Sequence, residues 1–222
     1  MYVLLSYVIN HDTPVYGGGT GFVSKMQTSI NKGDVTNTAV WSFPNHTGTH
    51  IDFPYHFYKN GQTVEDFPLD FWFYSGEDVQ LLFIKKIKNE YLIKPEHIIA
   101  DEFNSNAKVV FLKTNMGRYR NLRRYWEDNL GVSIELEKWI RAEFKKIKIF
   151  GLDSISVSCW RSREIGRKVH KKFLNPKKPI LIIEDMNLSK VDRSTIFKNV
   201  FFIPLMVSKS DGAPCTVIAE IK

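Results

Sequence analysis

Short hydrophobic runs rich in β-branched and aromatic residues, separated by polar and turn-forming residues, are the main pattern along the chain. Runs of this length and composition are typical of β-strands. We predict strands at residues 2–9, 36–43, 79–85, 108–113, 147–153, 180–184, 199–204 and 214–221. Because no internal repeat, low-complexity tract or long linker interrupts this pattern, we expect residues 1–222 to form one domain.

Three segments have the apolar spacing or the end signals of helices. The clearest is 134–147, in which apolar residues recur at helical spacing after Ser133, a residue type that favours the N-cap. Pro95 suits the first turn of a second helix that runs to about residue 104, and residues 121–130 are the third candidate. Since the predicted strands outnumber the helices and the helices lie between them, we predict an α/β or α+β domain with a mixed sheet.

The composition is that of an ordinary globular protein, because 43% of the 222 residues are hydrophobic and 25% are charged. No apolar run approaches the ~18 residues of a membrane span, and the N-terminal residues lack the basic region and cleavage site of a signal peptide. Two cysteines, Cys159 and Cys215, are too few for a disulfide framework. We therefore expect a cytoplasmic protein that does not bind membranes.

The chain is basic, with 31 Lys and Arg residues against 24 Asp and Glu residues and a formal net charge of +7. Such an excess can attract nucleic acid or an anionic small molecule. Here the basic residues form short clusters, which are typical of a solvated surface, and the sequence has no RNP aromatic pattern or zinc-finger spacing. We expect no nucleic-acid partner; a basic module that binds nucleic acid or an acidic protein is the alternative from another functional class.

Three of the six histidines fall within residues 46–56, His-Thr-Gly-Thr-His-Ile-Asp-Phe-Pro-Tyr-His. The glycine and the proline disfavour a helix, and in an extended segment His50 and Asp52 point to the same side, about 6.6 Å apart. Turns at the glycine and the proline can bring His46 and His56 to the same place. Two imidazoles and a carboxylate are a common ligand set for zinc, manganese or non-haem iron, and a further imidazole can transfer protons.

The segment 46–56 resembles the His-x-Gly-Thr-His-x-Asp-x-Pro-x-His signature of the metal-dependent cyclase family. Its best-known members are bacterial kynurenine formamidases, also called arylformamidases, and isatin hydrolases resemble more distant relatives. Further similar segments are Ser6–Gly17, Gly151–Val157, His170 with Ile182–Ser189, and Pro204–Pro214. The resemblance thus covers nearly the whole chain and implies a swivelling β/β/α domain that forms a homodimer or homotetramer.

The resemblance also implies the roles of individual residues, with one or two zinc or manganese ions per chain. The implied metal ligands are His46, His50, Asp52, His170 and Glu184. His46, His50 and Asp52 would hold the first ion, and Asp52 would bridge to a second ion. His56 would be the general acid/base. Tyr16 and Phe67 are candidates for the substrate pocket, among six aromatic residues near the motif of which about two are expected to touch a ligand.

These features predict a metal-dependent hydrolase that cleaves the amide of an N-formyl or N-acyl arylamine similar to N-formylkynurenine. A divalent metal lowers the pKa of bound water from about 15.7 towards ~7, so that hydroxide can attack the carbonyl carbon, while His56 passes a proton to the leaving nitrogen. The substrate is expected to be a small aromatic anion. Isatin-type or lactone ring hydrolysis and a biosynthetic cyclisation or dehydration are alternatives on the same metal centre.

The chain departs from the family pattern in the basic segment 160–168. This segment contains Arg161, Arg163, Arg167 and Lys168. An arginine fork in the basic segment 161–172 could bind a substrate carboxylate, and an exposed surface without a ligand is the alternative. Since the departure leaves the residues of the metal motif intact, it bears on the identity of the substrate.

Overall fold

The computed structural model describes residues 1–100 and 102–222, in which a large mixed β-sheet is the main element. The strands are β1 (Tyr2–Leu4), β2 (Val23–Thr28), β3 (Thr38–Ser42), β4 (His50–Asp52), β5 (Phe73–Ser75), β6 (Val79–Ile84), β7 (Leu92–Ile93), β8 (Ile98–Ile99), β9 (Val109–Lys113), β10 (Gly131–Val132), β11 (Ile149–Leu152), β12 (Leu181–Glu184), β13 (Phe197–Pro204) and β14 (Gly212–Ile221). The α-helices are α1 (Arg124–Glu127), α2 (Ile134–Glu143) and α3 (Arg163–Phe173). Short 3-10 helices lie at Tyr16–Gly18, Ile30–Lys32, Pro54–His56, Val64–Asp66, Leu69–Trp72, Gly76–Asp78, Pro95–His97, Met116–Tyr119 and Trp160–Ser162.

Within the described residues, ten strands form the main sheet in the order β5-β13-β14-β4-β12-β11-β9-β6-β8, and β1 pairs with β14. The strands β12, β11, β9 and β6 are parallel to one another, whereas β4 is antiparallel to both of its neighbours, β12 and β14. The sheet confirms the predicted mixed α+β class. It also places β4, which carries the centre of the histidine-rich segment, between the parallel and antiparallel halves.

The core is built on the central parallel strands, whose apolar residues are buried in unbroken runs. Val109 to Leu112 in β9 and Leu181 to Ile183 in β12 are fully buried, as expected for parallel strands that are covered on both faces. Helix α3 packs there through Phe173, whose ring stacks on that of Phe150 with their centroids 5.0 Å apart. The apolar strands thus form a rigid base from which polar residues at the strand ends project.

The predicted strands at 79–85, 108–113, 147–153, 180–184, 199–204 and 214–221 are confirmed as β6, β9, β11, β12, β13 and β14, while the run at 2–9 forms a strand only over β1. The prediction for 36–43 is confirmed as β3, which pairs with β2 in a separate hairpin. Nowhere in residues 1–100 and 102–222 is there a helix of the length and apolar character needed to cross a membrane.

Of the predicted helices, the best-supported one is confirmed. Helix α2 begins after Ser133, whose hydroxyl accepts the backbone N–H of Leu136 at 3.1 Å, and it ends four residues earlier than expected. The segment 121–130 is helical only over α1. The prediction of a helix from Pro95 to about residue 104 is wrong, because the chain makes a single 3-10 turn and then enters β8, which pairs with β6. Residue 101 of this prediction lies outside the described residues.

Helix α3 is the longest of the described elements that the sequence analysis missed; the strands β2 and β5 were missed as well. Its many basic residues obscured an apolar face of Ile165, Val169 and Phe173, which recur every four residues and face the core. This face fixes the rotation of the helix about its axis. Because His170 follows Val169 on the same inner side, it is buried rather than exposed with its basic neighbours.

Candidate metal centre

The segment 46–56 is extended at its centre and turns at both ends, as predicted. Strand β4 is buried, and Ile51 points into the core while His50 and Asp52 share the opposite side of the strand. Gly48 has a φ of +65°, in the left-handed region that favours glycine. The 3-10 turn Pro54–His56 then brings His56 back towards the strand.

The structure brings together all six polar side chains that the sequence and the resemblance point to. They are His46, His50, Asp52, His56, His170 and Glu184, and they line one cleft. Asp52 is at the centre: its Oδ1 lies 2.9 Å from Nδ1 of His46 and 3.5 Å from Nε2 of His50. Its Oδ2 lies 3.6 Å from Nε2 of His170. The two oxygens of one buried carboxylate thus face two different sets of imidazoles.

Glu184 reaches the cluster because β12 pairs with β4 in a register that sets it opposite His50. Its Oε1 lies 3.2 Å from Nε2 of His170, and its Oε2 lies 3.5 Å from Nε2 of His50. The hydroxyl of Ser156 and the backbone N–H of Val157 donate to Oε1 at 3.0 and 2.7 Å. These two donors hold the carboxylate in place between the imidazoles.

Backbone carbonyls orient the two most buried histidines. Nδ1 of His50 lies 2.8 Å from the carbonyl oxygen of Gly48, and Nδ1 of His170 lies 2.9 Å from that of Gly166. A carbonyl oxygen accepts only, so each Nδ1 carries a proton and its Nε2 is the atom that faces the carboxylates of the cluster. Once deprotonated, Nε2 offers its lone pair at this place, which is the arrangement typical of imidazoles that bind a metal.

Asp211 is a member of the cluster that the sequence analysis did not identify as a site residue. Its Oδ2 lies 3.0 Å from Nε2 of His46 and 2.8 Å from Nδ1 of His56. Asn45 donates to its Oδ1 at 2.5 Å. The next residue, Gly212, lies so close to His46 that an added Cβ would be 2.4 Å from the imidazole Cε1. The only local signal was an acidic residue directly before β14, followed by the glycine that begins the strand.

Neighbouring groups of opposite charge shift the pKa values of the cluster so that the charged forms are favoured. Burial alone would lower the pKa of His46, but Asp52 and Asp211 raise it to about 10. For Glu184, burial alone would raise the pKa, yet the hydrogen bonds and charges of His170 and His50 lower it. The hydrogen bonds with His46 and His56 hold the pKa of Asp211 well below its ordinary range. The carboxylates are therefore ionised and available as ligands or hydrogen-bond acceptors.

The cluster opens into a cleft of about 300 Å³, at the lower end of the range for small-molecule sites. Of the six aromatic residues near the motif, Tyr16 and Phe57 line the cleft. Phe67, which we expected at the substrate, instead packs in the core against Phe53 and Trp72. Phe67 comes directly after the 3-10 helix Val64–Asp66, and its ring points towards the core. The number of aromatic residues near the motif does not reveal which of them point inward.

The donor set fits a divalent metal. Ligand atoms of His50, Asp52 and Glu184 lie within 4.8 Å of one another, and the same holds for His46, Asp52 and His56. Imidazole nitrogens and carboxylate oxygens are ligands that suit zinc, manganese and iron. Four side chains of the cluster are buried: His50, Asp52, His170 and Glu184. Burial of ionisable groups costs free energy unless they are paired or coordinate a metal.

Comparison with known proteins identifies a family and related sequences. Residues 3–158 match the sequence model of a family described as putative cyclase. The kynurenine formamidase of Bacillus thuringiensis subsp. konkukian (strain 97-27) is 24% identical over 222 residues, which span 97% of this chain and 95% of that protein.

Solved structures share the fold at low sequence identity. Isatin hydrolase A from Labrenzia aggregata, bound to benzyl benzoate, matches with a TM-score of 0.76 and 18% identity, over 99% of this chain and 93% of that one. A potential metal-dependent hydrolase with cyclase activity matches with a TM-score of 0.71 and 20% identity, over 99% and 96% of the two chains. Both matches extend over the whole mixed sheet.

Proposed function

The chain belongs to the putative cyclase family, and from that premise we propose that it is a metal-dependent hydrolase that cleaves the amide of an N-formyl or N-acyl arylamine. The observation that carries the proposal is the convergence of two imidazole Nε2 atoms on a buried pair of carboxylates. His50 and His170 supply the Nε2 atoms, and Asp52 and Glu184 supply the carboxylates. The similarity to a kynurenine formamidase supports the choice of substrate.

We propose that His46, His50 and Asp52 hold one zinc or manganese ion. His170 and Glu184 would hold a second, with Asp52 bridging the two. The split of Asp52 supports the presence of two ions, because its Oδ1 faces His46 and His50 while its Oδ2 faces His170. Glu184 lies beside both sets, since its Oε1 is 3.2 Å from Nε2 of His170 and its Oε2 is 3.5 Å from Nε2 of His50. A divalent ion bound there supplies a Lewis acid that makes hydroxide available at neutral pH.

His56 has the position of a proton donor and acceptor at the mouth of the cleft. The Asp211 carboxylate accepts the proton on Nδ1 of His56 at 2.8 Å, and this leaves Nε2 to exchange protons with a substrate. His56 Nε2 would take a proton from water as the water oxygen bonds to the carbonyl carbon. When the C–N bond breaks, Nε2 would pass that proton to the nitrogen, which leaves as the free arylamine, and the acid product would ionise by releasing its proton to solvent.

Ring opening of an isatin-type cyclic amide is the second candidate, favoured by the TM-score of 0.76 with isatin hydrolase A. The same C–N bond type is broken, so the proposed residue roles are unchanged. Parallel assays that follow the absorbance of N-formylkynurenine and of isatin separate the two. Faster turnover of N-formylkynurenine supports the proposal, faster turnover of isatin supports the second candidate, and no turnover of either contradicts both.

We further propose that the protein is a cytoplasmic homodimer or homotetramer. The hairpin of β2 and β3 pairs with no strand of the main sheet in the described residues, and all residues of β3 are exposed, including Trp41 at 68%. An isolated two-stranded hairpin is marginally stable in water, so a second copy of the chain would give this hairpin a packing partner. The two cysteines are free and buried, as in proteins of reducing compartments.

Replacing Glu184 with glutamine is expected to lower the metal content by one ion per chain, because the amide loses the charge that the second ion requires. The side chain keeps its shape and its contact with the Ser156 hydroxyl, which limits the effect on folding. Elemental mass spectrometry of the purified variant measures the metal content. The matched control is Glu164→Gln on the exposed side of α3. An unchanged metal content and rate in the Glu184 variant would show that the second site is wrong.

Replacing Asp211 with asparagine is expected to lower turnover about 10- to 100-fold, the usual cost of losing a residue that orients a ligand. Asparagine keeps the size of the side chain but removes the charge shared by His46 and His56. Steady-state rates and metal content are measured beside Asp70→Asn, an exposed carboxylate outside the cleft. Turnover equal to that of the control would exclude a role for Asp211 in the site.

A further inference from the structure

The cleft is lined by positively charged side chains as well as by the histidines and carboxylates of the candidate metal centre. Arg163 and Arg167, one helical turn apart on α3, both line the cleft that contains the metal cluster. They belong to the basic segment in which the chain departs from the family pattern. Residues four apart on a helix lie on the same face, so the two guanidinium groups can approach one ligand together.

These two arginines have no ion-pair partner among residues 1–100 and 102–222, unlike several other arginines of the chain. Arg120 pairs with Asp185, Arg141 with Glu137, and Arg161 with Asp128. Asp185 also lines the cleft, but its carboxylate is already engaged by Arg120 and by the hydroxyl of Tyr125. The acidic residues of the cleft therefore leave the charge of Arg163 and Arg167 uncompensated.

A further polar group that lines the cleft is the hydroxyl of Tyr16. It is buried and has no hydrogen-bond partner within the described residues. Burial raises the pKa of Tyr16 to about 12, so the hydroxyl keeps its proton and remains a donor. Buried hydroxyls in folded proteins are nearly always hydrogen-bonded, and an unpaired one that lines a cleft indicates a ligand that accepts its proton.

Trp160 packs against two of these three groups, Arg163 and Tyr16. The Arg163 guanidinium lies over the Trp160 ring, 4.3 Å from its centroid, and the Tyr16 ring packs edge-on against the same indole at 5.3 Å. Stacking on one face of the guanidinium leaves its N–H edge available for a planar anion. Apolar surface from Phe57 and Ile155 lines the same cleft and suits an aromatic ring.

We propose that Arg163, Arg167 and Tyr16 form a subsite that binds a carboxylate carried by the aromatic substrate, while its amide lies at the metal cluster. This inference rests on the proposed hydrolase function and narrows it to aryl amides that bear a negative charge. The subsite also gives a role to two basic residues of α3, since Arg163 and Arg167 are exposed side chains that line the cleft.

The test compares 2-formamidobenzoate with formanilide, its neutral counterpart that lacks the carboxylate. We expect the wild-type protein to prefer the anion, and the double variant Arg163→Met/Arg167→Met to lower the ratio of the two kcat/KM values about 10- to 100-fold, as for the loss of a charge-assisted hydrogen bond. The change should appear mainly as a higher KM for the anion. The matched control is Arg161→Met, whose guanidinium pairs with Asp128 and does not line the cleft.

A second readout measures binding without turnover. Calorimetric titration with anthranilate should show weaker binding to the double variant than to the wild type and the control, at equal metal content. If the wild type prefers formanilide, or if the double variant leaves the ratio unchanged, the subsite is wrong while the hydrolase proposal stands. If neither of these two amides is hydrolysed, the titration decides the subsite: equal affinities in all three proteins overturn it, whereas the hydrolase proposal is decided separately by the assays with N-formylkynurenine and isatin.

Discussion

Replacing Asp52 with asparagine is expected to remove the bound metal and to abolish hydrolysis. Both oxygens of this carboxylate face imidazoles, Oδ1 towards His46 and His50 and Oδ2 towards His170. No other side chain in the described cluster contacts three of its histidines, so neither proposed metal site survives the change. Asparagine preserves the volume of a residue that is only 1% exposed, and this separates metal loss from a packing defect.

Metal content by elemental mass spectrometry, hydrolysis rate and melting temperature are measured on the same preparation. Asp70→Asn serves as the control, because Asp70 is exposed and lies outside the cleft. We expect the control to match the wild type in all three measurements. A full complement of metal in the Asp52 variant would contradict its role as a ligand, whatever its activity.

Replacing His56 with glutamine is expected to reduce kcat about 10²- to 10⁴-fold, the usual contribution of general acid/base catalysis, while the metal remains bound. Glutamine can still donate a hydrogen bond to Asp211 but cannot exchange a proton at the position of Nε2. Rates and metal content are compared with those of His11→Gln, an exposed histidine outside the cleft.

The alternative for His56 is that it is itself a ligand, because its ring nitrogen lies within 4.8 Å of ligand atoms of His46 and Asp52. The two roles give opposite results for the metal. Loss of an ion in the His56 variant would make it a ligand and would remove it as the proton donor. Retention of all metal with an unchanged kcat would exclude both roles.

The sequence predicts the local part of the site well because its geometry depends on neighbouring residues. Strand parity sets His50 and Asp52 on one side of β4, and the left-handed φ of Gly48 permits the turn that returns His46. These constraints act within a few residues. Spacing is therefore enough to identify the central histidines and the carboxylate without knowledge of the sheet.

The distant part of the site depends on strand order and helix rotation, which spacing does not reveal. Glu184 becomes a neighbour of His50 through the register of β12 with β4, and Asp211 enters through the register of β14 with β4. His170 faces inward because of the apolar face of α3, a helix hidden by its basic residues. The family resemblance supplied Glu184 and His170, and neither source supplied Asp211 as a site residue.

Two errors of the sequence analysis, the helix predicted from Pro95 and the placement of Phe67 at the substrate, have a common cause in tertiary contacts. Pro95 suits a helix start, yet the following Ile98 and Ile99 gain more from pairing with β6 than from continuing a helix. Phe67 is close in sequence to the motif, but its ring packs in the core with Phe53. In both cases the preference expected from neighbouring residues was overridden by a contact with a residue on another part of the chain.

The central claim, a metal-dependent amide hydrolase, is tested most directly by metal content per chain measured together with N-formylkynurenine hydrolysis before and after chelation. We predict one or two equivalents of zinc or manganese, hydrolysis that stops when the metal is removed, and recovery of the rate when it is restored. A protein that holds no metal even after reconstitution, or that hydrolyses the substrate equally well with and without metal, would contradict the account.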